Sequence, residues 1–167
     1  MEFKITYCKT PIWTAKITGD NNGIQSITLI TDSLHDRNDE FIDMQTDMPE
    51  CLRECVLQLK EYFKGLRTNF NLLLNPQGTK FQKIVWKHLC TIPFGETSSY
   101  LAQSKQIGDP KAVRAVASAN GKNPIWIVIP CHRVIGSDGS LSGYAGGIWR
   151  KKWLLNHESP SKQLSLF

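Results

Sequence analysis

Long apolar runs are missing from this chain of 167 residues. No segment approaches the roughly 20 consecutive apolar residues that a membrane-spanning helix needs. The N-terminal stretch MEFKITYCKT also lacks the charged and then apolar pattern of a secretory signal. With 41% hydrophobic and 21% charged residues, the composition predicts a cytoplasmic protein of one ordinary domain or two small ones, with no membrane partner.

Paired cysteines are missing as well. The chain has five cysteines, an odd number, scattered along the sequence, which is a poor disulfide framework and fits a reducing compartment. Cys51 and Cys55 have helical spacing and could be joined by His88 or Cys8 in a zinc site. Because the paired CxxC spacing is absent, no metal site is expected. Cys51, Cys55 and Cys90 are instead predicted to be small buried apolar residues.

Acidic residues are scarce in the second half of the chain. Residues 1–77 contain 8 basic and 11 acidic side chains, whereas residues 78–167 contain 12 basic and 4 acidic side chains, giving a net charge of +5 overall. The second half is therefore the part expected to meet a polyanion.

The first half, residues 1–77, has the pattern of a small α/β domain. Alternating apolar and polar residues predict strands, and apolar residues at steps of three and four predict one helix. The predicted elements are strands over 2–7 and 12–30 with a turn at 20–23, a loop over 31–47, a helix over about 49–64, and a short strand over 70–74.

The second half contains the start and stop signals of a helical domain. Thr79 and Gln82 have capping-box spacing ahead of an apolar helical stripe. Ser98 or Ser99 is expected to cap a short helix that ends before Gly108. Asp109 is expected to cap another, with Pro110 at its first position and Asn120-Gly121 at its end. Two short helices joined by a Gly-containing turn predict a helix-turn-helix.

The second of these helices has an unusual composition. Residues 112–119 are mostly small, and one long cation, Arg114, projects from them. Such a helix either packs tightly in a core with a solvated arginine, or lies in a DNA groove with the arginine entering the base stack. The residues alone leave both interpretations open.

The segment IPCHRVIG combines a thiol with an imidazole. Cys131 and His132 follow the apolar run 125–129, which is predicted to be a strand. A Gly-rich loop over 136–147 and a helix over about 148–156 come next. A thiolate is a nucleophile, a histidine can take its proton, and Glu158 can orient the histidine. These residues alone also permit a cysteine hydrolase with an oxyanion hole in the Gly-rich loop.

Four segments together resemble the O6-alkylguanine-DNA alkyltransferases, also called methylated-DNA–protein-cysteine methyltransferases. They are NPIWIVIPCHRVIGSDGSLSGYAGG, FQKIVWKHLCTIPFGETSSY, IGDPKAVRAVASANGKNP and KKWLLNHE. The resemblance covers residues 78–158 in register and is weaker over 1–77. It implies a ribonuclease H-like sheet-plus-helix domain over 1–77, a mainly helical DNA-binding and catalytic domain over 78–158, and a flexible tail over 159–167.

The resemblance implies catalytic roles for five residues. Cys131 would be the thiolate that accepts the alkyl group from O6 of a flipped-out guanine. His132 would act as its base through a water, and Glu158 would orient the histidine. Asn123 would hold the hydrogen-bond network and the turn before the strand. Tyr100 would donate a proton or hydrogen bond towards N3 of the departing guanine.

The resemblance also implies contacts to the base and to the duplex. The backbone carbonyls of Cys131 and Val134 would accept from the exocyclic amine, the N–H of Ala145 would serve O6, and Tyr144 would form a pocket wall. Arg114 would fill the gap left by the flipped base in the minor groove, and further contacts to DNA would come from Ala112, Ala115 and Gly121.

The implied function is DNA repair by single, stoichiometric alkyl transfer from O6-alkylguanine, with O4-alkylthymine as a further substrate. The protein would act as a monomer, without a cofactor, in the cytoplasm and on the bacterial nucleoid. The alternative is a non-enzymatic protein that binds alkylated DNA. The family contains such relatives with another residue at the cysteine position, so the presence of Cys131 favours the enzyme.

The C-terminal residues QLSLF resemble the pentapeptide by which bacterial proteins bind the replication sliding clamp. A polar anchor precedes two leucines and an aromatic that can enter an apolar groove. The residues concerned are Gln163, Leu164, Leu166 and Phe167.

Overall fold

A computed structural model of the chain describes residues 3–30 and 47–159. The chain divides into two compact units, residues 1–77 and 78–167. The first contains a small sheet with a helix and the second is mainly helical, so the predicted α/β class is confirmed. Within the described ranges, none of the helices combines the length and the apolar character that crossing a membrane requires.

The first unit is built on an antiparallel sheet of three strands in the order β1-β2-β3. The strands are β1 (Lys4–Lys9), β2 (Thr14–Asp20) and β3 (Gly23–Ile30). The predicted turn at 20–23 joins β2 to β3, where the Asp20 side chain accepts from the backbone N–H of Asn22 at 2.7 Å. One face of the sheet is apolar and buried, as the alternation predicts.

The helix α1 (Glu50–Phe63) packs on this sheet. Its buried stripe includes Leu52, Cys55 and Leu59, which recur at the predicted helical spacing.

The predicted strand over 70–74 is wrong: this segment forms an isolated bridge between Leu74 and Ile24. The backbone of Ile24 pairs there with Leu73 and Asn75, and the side chain of Gln58 bonds the backbone of Asn71. One backbone bridge and one side-chain contact therefore replace an extended ladder.

The second unit is a cluster of short helices with one small strand pair. Its elements are α2 (Lys80–Leu89), β4 (Ser98–Ser99), α3 (Tyr100–Ile107), α4 (Val113–Gly121), β5 (Val134–Ile135) and α5 (Ile148–Glu158). Thr79 and Gln82 form the predicted capping box, Ser99 caps α3, and Gly108 ends α3 in the left-handed conformation. The helix α5 includes Glu158, so it is longer than predicted.

The helices α3 and α4 pack against each other as the predicted helix-turn-helix. A buried amide pair joins them: Gln103 donates to Asn120 at 3.0 Å, and Asn120 donates to Gln103 at 2.8 Å. The predicted cap at Asp109 is wrong. Asp109 instead closes a turn by accepting from the backbone N–H of Lys111 at 3.0 Å, and α4 begins at Val113 without a side-chain cap.

The strand pair places α3 beside the PCHRV segment. Ser98 pairs with Val134 and Ser99 with Ile135 in a parallel register. Because Tyr100 directly follows Ser99, this register brings the start of α3 next to the residues that follow Cys131.

Candidate active site

The predicted strand over 125–129 is wrong, and a side chain explains why. The segment is a turn. Asn123 caps it from both sides: its amide N–H donates to the carbonyl of Ile129 at 2.7 Å, and its oxygen accepts from the N–H of Ile125 at 2.9 Å. Ile127 takes a φ of 71°, a left-handed conformation that is unfavourable for a β-branched residue. The Asn123 bonds therefore stabilise a strained turn directly before the cysteine.

Cys131 begins a short 3₁₀ turn, Cys131–Arg133, immediately after Pro130. Cys131 is half-buried, whereas His132 and Arg133 are buried. The helix α5 packs against this turn, which brings Glu158 to His132 from the end of that helix.

Three charged or polar side chains form a buried network behind the cysteine. His132 Nε2 lies 2.8 Å from Glu158 Oε1, Arg133 Nε donates to Glu158 Oε2 at 2.8 Å, and Arg133 Nη2 donates to Oε1 at 3.0 Å. A further Arg133 N–H donates to the carbonyl of Ile92 at 2.7 Å. The bidentate geometry fixes the carboxylate plane and so fixes the imidazole.

The pKa values of this network follow from burial and charge. Burial alone would raise the pKa of Glu158, but hydrogen bonds and charge from His132 and Arg133 outweigh it and lower that pKa to about 2. Burial lowers the pKa of His132 below its ordinary range, against the opposing effect of Glu158. At neutral pH the pair is therefore a carboxylate and a neutral imidazole.

The tautomer of His132 follows from its partner. Because ionised Glu158 accepts only, Nε2 carries the proton and Nδ1 has a free lone pair. Nδ1 is buried and has no hydrogen-bond partner among the described residues. It is the nitrogen that can receive a proton.

The thiol of Cys131 lies among several polar groups. Burial raises its pKa, whereas a hydrogen bond with Asn123 and the positive charge of Lys151 lower it. Tyr100 and Tyr144 also interact electrostatically with Cys131, and burial raises the pKa of both phenols. Asn123 and Lys151 are thus the side chains that can stabilise a thiolate once it forms.

A cavity of about 520 Å³ lies on the same unit, a size typical of ligand pockets. It is lined by α3, α4 and the Gly-rich loop, through Tyr100, Val113, Arg114, Ala117, Gly121, Ser142, Gly143, Tyr144 and Ala145. Tyr144 packs against Trp126 with a ring separation of 5.8 Å, and the Tyr100 hydroxyl donates to the Ser142 carbonyl at 3.1 Å.

The predicted residues therefore fall into two adjoining groups. His132 and Glu158 belong to the buried network, and Asn123 interacts with Cys131 in front of it. Tyr100, Arg114, Gly121, Tyr144 and Ala145 line the cavity. Val134 is buried in β5, and Ala112 and Ala115 lie at the start of α4 outside the cavity lining. Gln163, Leu164, Leu166 and Phe167 lie outside the described residues.

Two residues of the site were not predicted. Arg133 and Lys151 are both buried, although arginine and lysine are usually exposed. The contacts of Arg133 reach 25 and 41 residues along the chain, and no local pattern reports such pairs. The only signal for Arg133 was its place within the PCHRV motif.

The five cysteines are all free. Cys55 is buried as predicted and Cys51 is half-buried, but the prediction for Cys90 is wrong because this residue is exposed. Cys90 lies just past the end of α2, after the last buried residue of that helix, Leu89.

Fold and site define a class of protein in which a helix-turn-helix unit contains a cysteine with a buried histidine and glutamate. Residues 80–160 match the family described as "6-O-methylguanine DNA methyltransferase, DNA binding domain", and residues 3–76 match its "ribonuclease-like domain". The methylated-DNA–protein-cysteine methyltransferase of Methanosarcina mazei is 44% identical over 150 residues, which cover 90% of this chain and 93% of that protein. The chain belongs to the 6-O-methylguanine DNA methyltransferase family.

Solved structures of the family agree with this assignment. The O6-methylguanine methyltransferase of Mycobacterium tuberculosis superposes with a TM-score of 0.79 at 38% identity, covering 99% of this chain and 100% of that one. A structure of M. tuberculosis OGT in complex with DNA superposes with a TM-score of 0.78 at 37% identity, covering 100% of both chains.

Proposed function

We propose that this protein repairs DNA by transferring an alkyl group from O6-alkylguanine in a duplex to its own Cys131, once per molecule. The observation that supports this most directly is the half-buried thiol beside a buried His132–Glu158 pair, with a 2.8 Å contact between imidazole and carboxylate. The relatives named methylated-DNA–protein-cysteine methyltransferase support the same reaction.

In this mechanism, His132 removes the proton from Cys131. The Nδ1 lone pair accepts it through a bridging water, and Glu158 stabilises the resulting imidazolium through Nε2. The thiolate sulfur attacks the alkyl carbon, a sulfur–carbon bond forms, and the bond from that carbon to O6 breaks with its electron pair left on guanine. A thioether is a poor alkyl donor, so the protein is consumed.

The departing guanine needs a proton or a hydrogen bond to leave as a neutral base. Tyr100 lines the cavity, and in this proposal its hydroxyl turns from the Ser142 carbonyl towards N3 of the base. Tyr144 packs on the base plane. The Ala145 N–H donates a hydrogen bond to O6, and the carbonyls of Cys131 and Val134 accept from the exocyclic amine. These contacts position the alkyl carbon for attack by the thiolate, which lowers the entropic part of the barrier.

The helix α4 is the proposed DNA-binding element. Arg114 is exposed and lines the cavity from α4, and the small side chains of Ala112, Ala115 and Gly121 permit close approach to a minor groove. Arg114 would occupy the space left by the extruded base. Other expectations that stay predictions are action on O4-alkylthymine, a monomeric state, and a cytoplasmic location with nucleoid association.

The test is peptide mass spectrometry after mixing the protein with a duplex that carries one O6-methylguanine. We expect one methyl group on the Cys131 peptide and at most one repaired lesion per protein, with no transfer in Cys131→Ser. A Cys90→Ser variant serves as the matched control, because Cys90 is an exposed free thiol in the same unit, and it should transfer normally.

The same experiment separates the alternative functions. Tight lesion binding by the wild-type protein with Cys131 unmodified would identify a damage-recognition protein instead. Repeated turnover of an acyl substrate, with no dependence on DNA, would identify a cysteine hydrolase.

A second proposal concerns the tail, and it rests on the residues QLSLF alone. If these residues bind the bacterial replication sliding clamp, deletion of 163–167 should abolish clamp binding and leave alkyl transfer unchanged. Clamp affinity is measured by calorimetry with the purified clamp. Equal affinity of the full-length and truncated proteins would refute the proposal.

A further inference from the structure

A fully buried lysine lies in the second unit. Lys151, on α5, has a relative exposure of 0%. None of the salt bridges within the described part of the chain includes it. An ammonium group out of water without a carboxylate is unfavourable, so its presence calls for an electrostatic role.

The contacts of Lys151 direct it to the site. Its Nζ donates to the Ser142 carbonyl at 3.0 Å, the same carbonyl that accepts from the Tyr100 hydroxyl at 3.1 Å. Nζ also lies 5.8 Å from the centre of the Tyr100 ring. The lysine therefore joins α5 to the Gly-rich loop and to the start of α3, which both line the cavity.

We propose that Lys151 is a positioning residue whose buried positive charge stabilises the Cys131 thiolate as it forms. The inference rests on the proposed function, because it assumes that the thiolate is the reactive species. His132 removes the proton in this scheme, and Lys151 supplies the fixed charge that makes the resulting anion less unfavourable.

The other groups around the thiol do not supply this charge. Burial raises the pKa of both Tyr100 on α3 and Tyr144 in the Gly-rich loop, so these phenols stay neutral at pH 7 and supply no positive charge. Asn123 contributes a neutral hydrogen bond, whereas the charge of Lys151 lowers the pKa of the thiol.

The other charged groups nearby are paired with each other. His132 contacts Glu158, and the positive charge of Arg133 forms a salt bridge with the same carboxylate. Cys131 in turn raises the pKa of Lys151, against the larger lowering by burial, so each group favours the charged form of the other.

The experiment measures thiolate formation directly and without DNA. The rate at which iodoacetamide alkylates the Cys131 peptide is followed by mass spectrometry as a function of pH. Wild type is compared with Lys151→Met, which keeps the length but not the charge, and with Lys151→Gln, which keeps a donor for the Ser142 carbonyl. Lys152→Met, an exposed neighbour on α5, controls for net charge.

We expect the midpoint of the pH profile to move upward by about 1 pH unit in both Lys151 variants, with about tenfold slower alkylation at pH 7. Above both midpoints the rates should converge, because the thiolate is then fully formed in every protein. Lys152→Met should match wild type. Thermal unfolding confirms that each variant is folded. Because the variants only remove a buried charge, their unfolding temperatures should not fall below that of the wild type.

Two results would overturn the inference. An unchanged midpoint in both Lys151 variants would show that the charge does not act on Cys131. A normal midpoint in Lys151→Gln with a shifted one in Lys151→Met would show that the lysine serves only to anchor the loop. Methyl transfer by the wild-type protein, measured in parallel, tests the proposed function separately.

Discussion

At the residue scale, charge compensation around Glu158 decides both stability and chemistry. One carboxylate accepts from His132 and, in a bidentate arrangement, from Arg133. Because a buried carboxylate without partners would take up a proton, the hydrogen bonds from His132 and Arg133 together keep Glu158 ionised, and Arg133 supplies the positive charge when His132 is neutral. The histidine base is therefore prepared by an arginine that need not touch the substrate.

Acid titration should reveal this compensation. The pKa of Glu158 in the folded protein, about 2, lies below its ordinary value of 4.5. Its ionisation therefore contributes about 3 kcal/mol of stability, which is complete above about pH 4.5 and lost as the pH falls towards 2. Glu158→Gln should lose about this much at neutral pH and show a flatter profile in that window. Denaturant unfolding at a series of pH values measures the difference.

The matched control is Glu96→Gln, which changes an exposed glutamate of the same unit. It should follow the wild-type acid profile. Because burial also lowers the pKa of His132, some loss of stability should begin below about pH 6.5 in the wild type. A Glu158→Gln protein that lost stability between pH 4.5 and 2 as steeply as the wild type would contradict the assignment.

At the element scale, a polar contact determines how the helix-turn-helix packs. The buried face of α3 consists of Gln103 and Ser104, and Gln103 exchanges two hydrogen bonds with Asn120 of α4. Gln103→Leu should destabilise the protein by about 2 kcal/mol, because it leaves the Asn120 amide buried and unpaired. Gln103→Leu with Asn120→Leu should recover most of that loss, as measured by a double-mutant cycle in urea. Additive losses would mean that the pair is not coupled.

The same elements show what the sequence could predict. The capping box at Thr79, the cap at Ser99 and the end of α3 at Gly108 depend on residues within one turn, and all three are confirmed.

The turn over 125–129 was predicted as a strand, because an apolar run does not show that Asn123 bonds both ends of it. The charges of Arg133 and Lys151 act between distant segments, so periodicity could not find them. The family resemblance, rather than residue pattern, brought Tyr100 and Arg114 together in one site.

At the scale of the whole molecule, positive charge is concentrated in residues 78–167, with 12 basic against 4 acidic side chains. A minor-groove contact by α4 would place its flanking residues next to phosphates. Lys111 precedes this helix, Lys122 follows it, and both are exposed. These lysines carry no base-reading role in the proposal, so they should affect affinity for damaged and undamaged duplexes equally.

DNA affinity measured over a range of salt concentrations tests whether Lys111 and Lys122 contact phosphates. If each lysine neutralises one phosphate, Lys111→Gln with Lys122→Gln should reduce the slope of log affinity against log salt by about 1 per lysine. The ratio of affinities for lesion and intact DNA should stay constant, because phosphate contacts position a protein without reading bases. Lys9→Gln with Lys64→Gln removes two exposed charges from residues 1–77 and should leave the slope unchanged. If both double variants reduced the slope by the same amount, overall charge would attract DNA, and the residues that flank α4 would have no special contact with it.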